Sequence, residues 1–166
     1  MTTYPTSTGP AAKAWLYGQM VATLTPASDG TFQLSYAVDV DNTNSPDDMV
    51  WLVGVQNRTV KNFAMVGNLG QYALAEEYDL TVGFSCYRAG ESNDADATLD
   101  PAYVAEQRVW ALIGQVETIV RTDPTFGGLL WTSQPMVLPE VPVDWDDSGN
   151  GRIATAELSI HCQAVL

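Results

Sequence analysis

The sequence predicts an α+β domain, with two helices packed on a mostly antiparallel β-sheet. Three observations carry that expectation. Two segments repeat apolar side chains with a helical period, and several others alternate them with period 2. The order along the chain is helix, two strands, an unassigned stretch, a strand, a helix, then two or three late strands. At 166 residues, with no internal repeat and no linker, the chain reads as a single domain over residues 1–166 with a flexible start over 1–9.

The first helix is signalled by Thr8-Gly9-Pro10, with Thr8 as cap and proline in the first turn. Ala12, Leu16, Met20 and Leu24 then fall on one face, and Pro26 with Asp29-Gly30 closes the segment. Phe32, Leu34, Tyr36, Val38 and Val40 alternate with Gln33, Ser35, Ala37 and Asp39, which predicts a strand with one buried face. After the acidic loop Asp41 to Asp48, the continuous run Met49 to Val55 predicts a strand covered on both faces. Residues Asn57 to Gly70 keep no clear period. Leu80, Val82, Phe84 and Cys86 share a phase within a strand over about Leu74 to Tyr87, and Gly90 to Thr98 reads as a mobile loop.

The second helix has the strongest signal. Asp100 caps it, Pro101 takes its first position, and Val109, Leu112, Ile113, Val116, Ile119 and Val120 form a stripe wide enough to lie on a sheet. Asp123-Pro124 and Gly127-Gly128 stop it. Leu129 to Trp131, Met136 to Val143 and Ile153 to Leu166 are expected as late strands, the last alternating Leu158, Ile160, Cys162 and Ala164 with polar residues.

Composition narrows the function. The net charge is −13, and the seven basic residues are scattered singly, so nothing offers the basic footprint that grips nucleic acid. An acidic body can still face DNA that must slide past. Cys86 and Cys162 sit on apolar phases and read as buried thiols. No apolar run is long enough for a bilayer and the N-terminus lacks a signal pattern, so the expectation is a soluble chain that stays in the cell that makes it, with no membrane partner.

Catalytic chemistry has little to work with. His161, the only histidine, is next to Cys162 and must point to the opposite face of its strand. Cys86 remains as the thiol that approaches His161 across strands, without any nucleophile signature. Gly67-Asn68-Leu69-Gly70 lacks the third glycine and the lysine of phosphate loops, and two Cys with one His offer no zinc spacing. Glu76-Glu77-Tyr78-Asp79 is either a carboxylate cluster for acid–base work or a solvated strand start. The expectation is no enzyme, no cofactor, and no catalytic, cofactor-binding or metal residues. Of the five tryptophans, Trp110 and Trp51 fall on apolar elements, while Trp15 and Trp145 fall on peripheral segments, as core lids or as anchors for self-assembly.

One motif points to a different class. Asp146, Asn150, Gly151, Ile153 and Glu157 match positions 1, 5, 6, 8 and 12 of the calcium loop, with Ser148 where Asp or Asn is usual. A calcium hand needs a helix on each side. Here three prolines, Pro135, Pro139 and Pro142, precede the loop and a period-2 strand follows it, so the segment reads as an Asp/Gly turn. A calcium-binding β-rich module using Asp146–Glu157 is the rival reading.

The order and local wording of the elements resemble the tail terminator proteins of long, non-contractile-tailed bacteriophages of the lambda type. The pieces are Ala11 to Leu24, Phe32 to Val55, Glu76-Glu77-Tyr78-Asp79-Leu80-Thr81-Val82, Pro101 to Val120, and Val143-Asp144-Trp145 through Leu166. The resemblance covers most of the chain as a pattern of elements. It implies a structural virion protein at the head–tail junction, a ring, usually hexameric, of copies of this chain. That ring would terminate the tail tube, dock the head completion or connector protein, and let DNA pass without sequence-specific binding. It also implies that Gly90 to Thr98 orders on assembly and that a sheet edge joins neighbours. A different head–tail connector or tail tube subunit is the alternative within virion architecture.

Overall fold

The computed structural model describes residues 6–28, 30–37, 46–62, 74–91, 96–137, 141–145 and 151–166. The elements follow the order α1 (Gly9–Thr23), β1 (Phe32–Ser35), β2 (Asp48–Asn62), β3 (Leu74–Ala89), a 3₁₀ turn (Ala97–Leu99), α2 (Pro101–Thr122), β4 (Thr132–Val137), β5 (Val143–Trp145) and β6 (Gly151–Val165). The sheet has six strands in the order β1-β2-β3-β6-β4, with β5 pairing β6 beside β4. Among the described residues only β1 and β2 run parallel; every other pairing is antiparallel. The α+β class with two helices on one sheet is therefore the observed architecture.

The core lies between the helices and one face of the sheet. Even-numbered residues of β3 and β6, from Tyr78 to Cys86 and Ala154 to Ala164, point into it. They meet Val109, Leu112, Ile113, Val116, Ile119 and Val120 of α2, all buried as the stripe predicts. Asp100 caps α2 by accepting from the Ala102 amide at 2.8 Å. Helix α1 buries Gly9, Ala12, Leu16 and Met20. It ends at extended Leu24, whose amide still reaches the Met20 carbonyl.

Several boundaries differ from the sequence reading, each for a physical reason. Thr8 does not cap α1: its backbone is helical and its hydroxyl goes to Glu76 and Tyr78 instead. It is also tied down, where a flexible start was expected. The strand expected from Phe32 to Val40 ends at Ser35, and residues 38–40 lie outside the described residues. The run Met49 to Val55 and the first part of the ambiguous stretch, to Asn62, form one strand, β2, and residues 63–70 lie outside the described residues. Bulges between Leu52 and Gly54 and between Gln56 and Thr59 break its alternation, with Asn57 at φ 52°. Only one face of β2 carries helices. On the other, the Trp51 indole lies flat over Gly83, where a β-carbon would collide with it. Leu129 to Trp131 is a turn, not a strand, because Phe126, Gly127 and Gly128 take positive φ while Phe126 and Leu130 stay buried. Within the loop Gly90 to Thr98, residues 92–95 lie outside the described residues.

Candidate functional site

Strand β3 opens with Glu76-Glu77-Tyr78-Asp79, and the pleat sends these side chains to opposite faces. The start of the strand is solvated only in part: Glu76 and Tyr78 enter the core, and Glu77 and Asp79 face the open side. Glu76 is fully buried on the helix side, where it accepts from the Thr8 amide at 2.8 Å and the Thr8 hydroxyl at 2.9 Å and pairs with Arg58. Burial pushes its carboxyl up, but donors from Ser7, Thr8 and Arg58 more than offset this and hold it below the ordinary glutamate range. Tyr78 is buried beside it, and burial raises its phenol. Glu77 pairs with Lys61 at 2.9 Å on the open face.

Asp79 also faces outward. Its carboxylate takes a hydrogen bond from Asn57 at 2.8 Å and meets His161 Nδ1 at 2.9 Å across the β3–β6 ladder. Burial raises its carboxyl, and Asn57 with His161 overrides that to leave it lowered. The Asp–His contact has the shape of a base and its orienter, and Nε2 has the Gln163 amide 3.5 Å away. No Cys approaches. Cys86 pairs with Ala154 and His161 with Asp79, on opposite faces and seven residues apart along β3, about 23 Å of strand. Burial pushes both thiols up to about 12, with Asp48 adding to the effect on Cys86 and Asp79 on Cys162. These are thiols held as apolar filler.

A second buried charge lies at the other end of the sheet. Asp48, at 0% exposure, opens β2 between Arg88 of β3 at 2.8 Å and Arg108 of α2 at 2.6 Å. Arg108 also donates to the Thr25 carbonyl at 2.8 Å, which ties the segment after α1 into the same cluster. Sequence reasoning missed Asp48, treating it as the end of an acidic loop. Its only signal is its place one residue before an apolar run.

The calcium-like segment divides at Asn150. Residues 146–150 lie outside the described residues, whereas Gly151 to Glu157 run as extended strand paired to Ala89 through Gly83. Those six steps carry Glu157 about 20 Å from Gly151, whereas a calcium loop folds its twelfth residue back onto the ion. Among the described residues, no group of three or more His, Cys, Asp or Glu is placed to hold a metal ion. No helix among them is long and apolar enough to cross a membrane.

Several large apolar side chains are also exposed. Trp131 is 62% exposed, and with Leu129, Leu130, Gly128 and Val165 it borders a cavity of about 390 Å³ at the end of β6. Met136 follows on β4, and Leu99, Tyr103, Val104 and Trp110 are exposed around α2. Trp15 instead closes the core by stacking on Phe126 at 4.5 Å. The side chain of Trp145 lies outside the described residues. A second hollow of about 290 Å³ runs between the helices beside Trp15 and Ile119, and its one carboxylate, Asp123, is occupied by Thr125 and Gly127. Compared with models of known protein families and with curated proteins, the sequence has no match.

Proposed function

We propose that this chain is a structural subunit that assembles with copies of itself into a ring closing a phage tail tube. The ring would present one side to the tube protein and the other to a head completion or connector protein, with DNA passing through its lumen. The observation that carries this reading is the order of elements: an N-terminal helix, a strand pair, a long antiparallel β2–β3 ladder, a second helix and closing strands on one sheet. The side-chain chemistry agrees with a structural role. Glu76 and Asp79 of the sheet are engaged with Arg58 and His161, while large apolar side chains such as Trp131 stay exposed. The −13 charge suits a wall along which DNA slides.

Size exclusion with light scattering, followed by negative-stain imaging, tests the reading. Rings that bind purified tail tubes are the expected result. A particle that stays monomeric at high protein concentration and ignores tail tubes refutes it. Rings that bind head connectors but not tubes would place the chain among the connectors instead.

A further inference from the structure

The hollow between the helices brings together an apolar wall and a set of hydrogen-bond acceptors. It is lined by Trp15 and Gln19 of α1 and by Thr118, Ile119, Thr122 and Asp123 at the end of α2. Its volume of about 290 Å³ lies at the small end of small-molecule sites, which span roughly 300–1,000 Å³. The apolar part is Ile119 and the Trp15 indole, which Phe126 backs at 4.5 Å. The Thr118 hydroxyl donates to the Gly114 carbonyl and the Thr122 hydroxyl to the Thr118 carbonyl, each at 2.7 Å. Both protons are committed, so these oxygens meet a ligand as acceptors. Asp123 Oδ1 takes the Thr125 amide at 3.0 Å and hydroxyl at 2.6 Å, and Oδ2 takes the Gly127 amide at 2.8 Å. The Thr125 hydroxyl, then the Gly127 amide, hold this carboxyl below the ordinary aspartate range, so it is ionised at neutral pH. Oδ2 still has lone-pair capacity beyond Gly127. The negative pole of α2 ends at the same place, and none of the lining residues is basic.

We propose that this hollow binds the primary ammonium group of a small free diamine. An ammonium carries three donors and no acceptor, which matches Asp123 Oδ2 and the hydroxyl oxygens of Thr118 and Thr122. The alkyl stem lies along Trp15 and Ile119, as the methylene stems of long cationic side chains lie along apolar surface. A carboxylate or phosphate meets an ionised Asp123 and the negative end of a helix, so anions are rejected. A quaternary ammonium has the charge but no donor for the two hydroxyl oxygens. The −13 charge draws cations to the whole surface without discrimination, whereas charge, acceptors and an apolar wall converge in this hollow. The site stands independently of the assembly reading above.

Titration of the full chain with 1,4-diaminobutane, followed by NMR, tests the site. Salt at about 0.15 M damps the general surface field to a Debye length of about 8 Å. The expected result is saturable shifts confined to the Trp15 indole N–H, the Gln19 amide and the backbone amides from Thr118 to Asp123. Butanoate, with the same stem and the opposite charge, should shift none of them. Asp123→Asn should weaken binding about fivefold, the upper range for an exposed ion pair. Thr118→Val with Thr122→Val keeps the side-chain shape and the charge, and should also weaken it. That double variant decides the matter if circular dichroism shows Asp123→Asn to be unfolded. Shifts that spread over acidic residues elsewhere and never saturate show counterion attraction alone and overturn the site. Equal binding of butanoate or tetramethylammonium, or unchanged affinity in the folded variants, also overturns it. Tighter binding of Nα-acetyl-lysine amide than of the diamine overturns the free ligand in favour of a partner's lysine side chain.

Discussion

Asp48→Ala removes the carboxylate that two arginines share. In the folded chain Asp48 is fully buried, while the Arg88 and Arg108 side chains keep 17% and 15% exposure. Without the carboxylate, two guanidinium groups close together lose their shared counterion, while Arg108 keeps the Thr25 carbonyl and Arg88 the Tyr87 carbonyl as acceptors. Breaking a buried pair by deleting one partner costs about 3–5 kcal/mol. Because both arginines retain some solvent contact, the lower end of about 3 kcal/mol applies. For a domain of this size that corresponds to a fall in Tm of about 6–12 °C. Urea titration followed by far-UV circular dichroism and tryptophan fluorescence measures it directly. Asp48→Leu combined with Arg88→Met and Arg108→Met should recover most of the loss, since an apolar cluster of similar volume replaces the ions. A loss below about 1 kcal/mol for Asp48→Ala would place the cluster among surface pairs and refute the reasoning.

Three more outcomes are expected. Gly83→Ala drives a β-carbon into the Trp51 indole and should destabilise the fold by about 1–3 kcal/mol. The same change in a Trp51→Ala background should be close to neutral, so equal costs in both backgrounds would exclude the steric explanation. Glu76 and Asp79 have carboxyls lowered by folding. The stability they contribute is present above the unfolded carboxyl range, near pH 4.3, and is lost as pH falls through their lower folded values. Urea midpoints should therefore hold from pH 7 to about 5 and drop below 4, and Glu76→Gln should be less stable at pH 7 with a shallower acid decline. Finally, both cysteines should resist a thiol reagent at pH 8 in the native chain and react fully in urea, because burial pushes their thiols up to about 12. Rapid native labelling of either one would contradict their burial.

The parts of this fold that were legible are those in which one face of one element decides the matter. The α2 stripe from Val109 to Val120 is a local pattern, and every member is buried. The same holds for Leu158 to Ala164 in β6. Reading failed where geometry departs from a fixed period. The two bulges in β2 shift its phase twice, so the stretch from Asn57 to Gly70 looked patternless, although Thr59 to Asn62 pair with β3 and Asn57 with Arg58 forms the second bulge. Leu129 to Trp131 is apolar enough for a strand, but positive φ at Phe126, Gly127 and Gly128 bends it into a turn. The polar clusters depend on register. Glu76 and Thr8 are 68 residues apart, and Asp79 and His161 are 82 apart, so no spacing in the sequence announces them. The Thr8 hydroxyl was correctly placed at a helix start and assigned the wrong partner for that reason, since it donates to Glu76 and does not accept from a first-turn amide.

Strand β6 comes last among the elements yet lies in the interior of the sheet, between β3 on one side and β4 with β5 on the other. Among the described residues, neither β4 nor β5 pairs with any other strand. While the chain emerges from a ribosome, the β2–β3 ladder and α2 are available early, but the sheet stays in two unjoined parts until Gly151 to Val165 arrives. Until then the flank of β3 that faces β6 is an open edge with its backbone donors and acceptors from Ala75 to Ala89 unpaired, the kind of surface that aggregates when left waiting. Timing of synthesis therefore bears on yield: a pause just before residue 151 should lower the recovery of folded protein more than a pause within β6 itself.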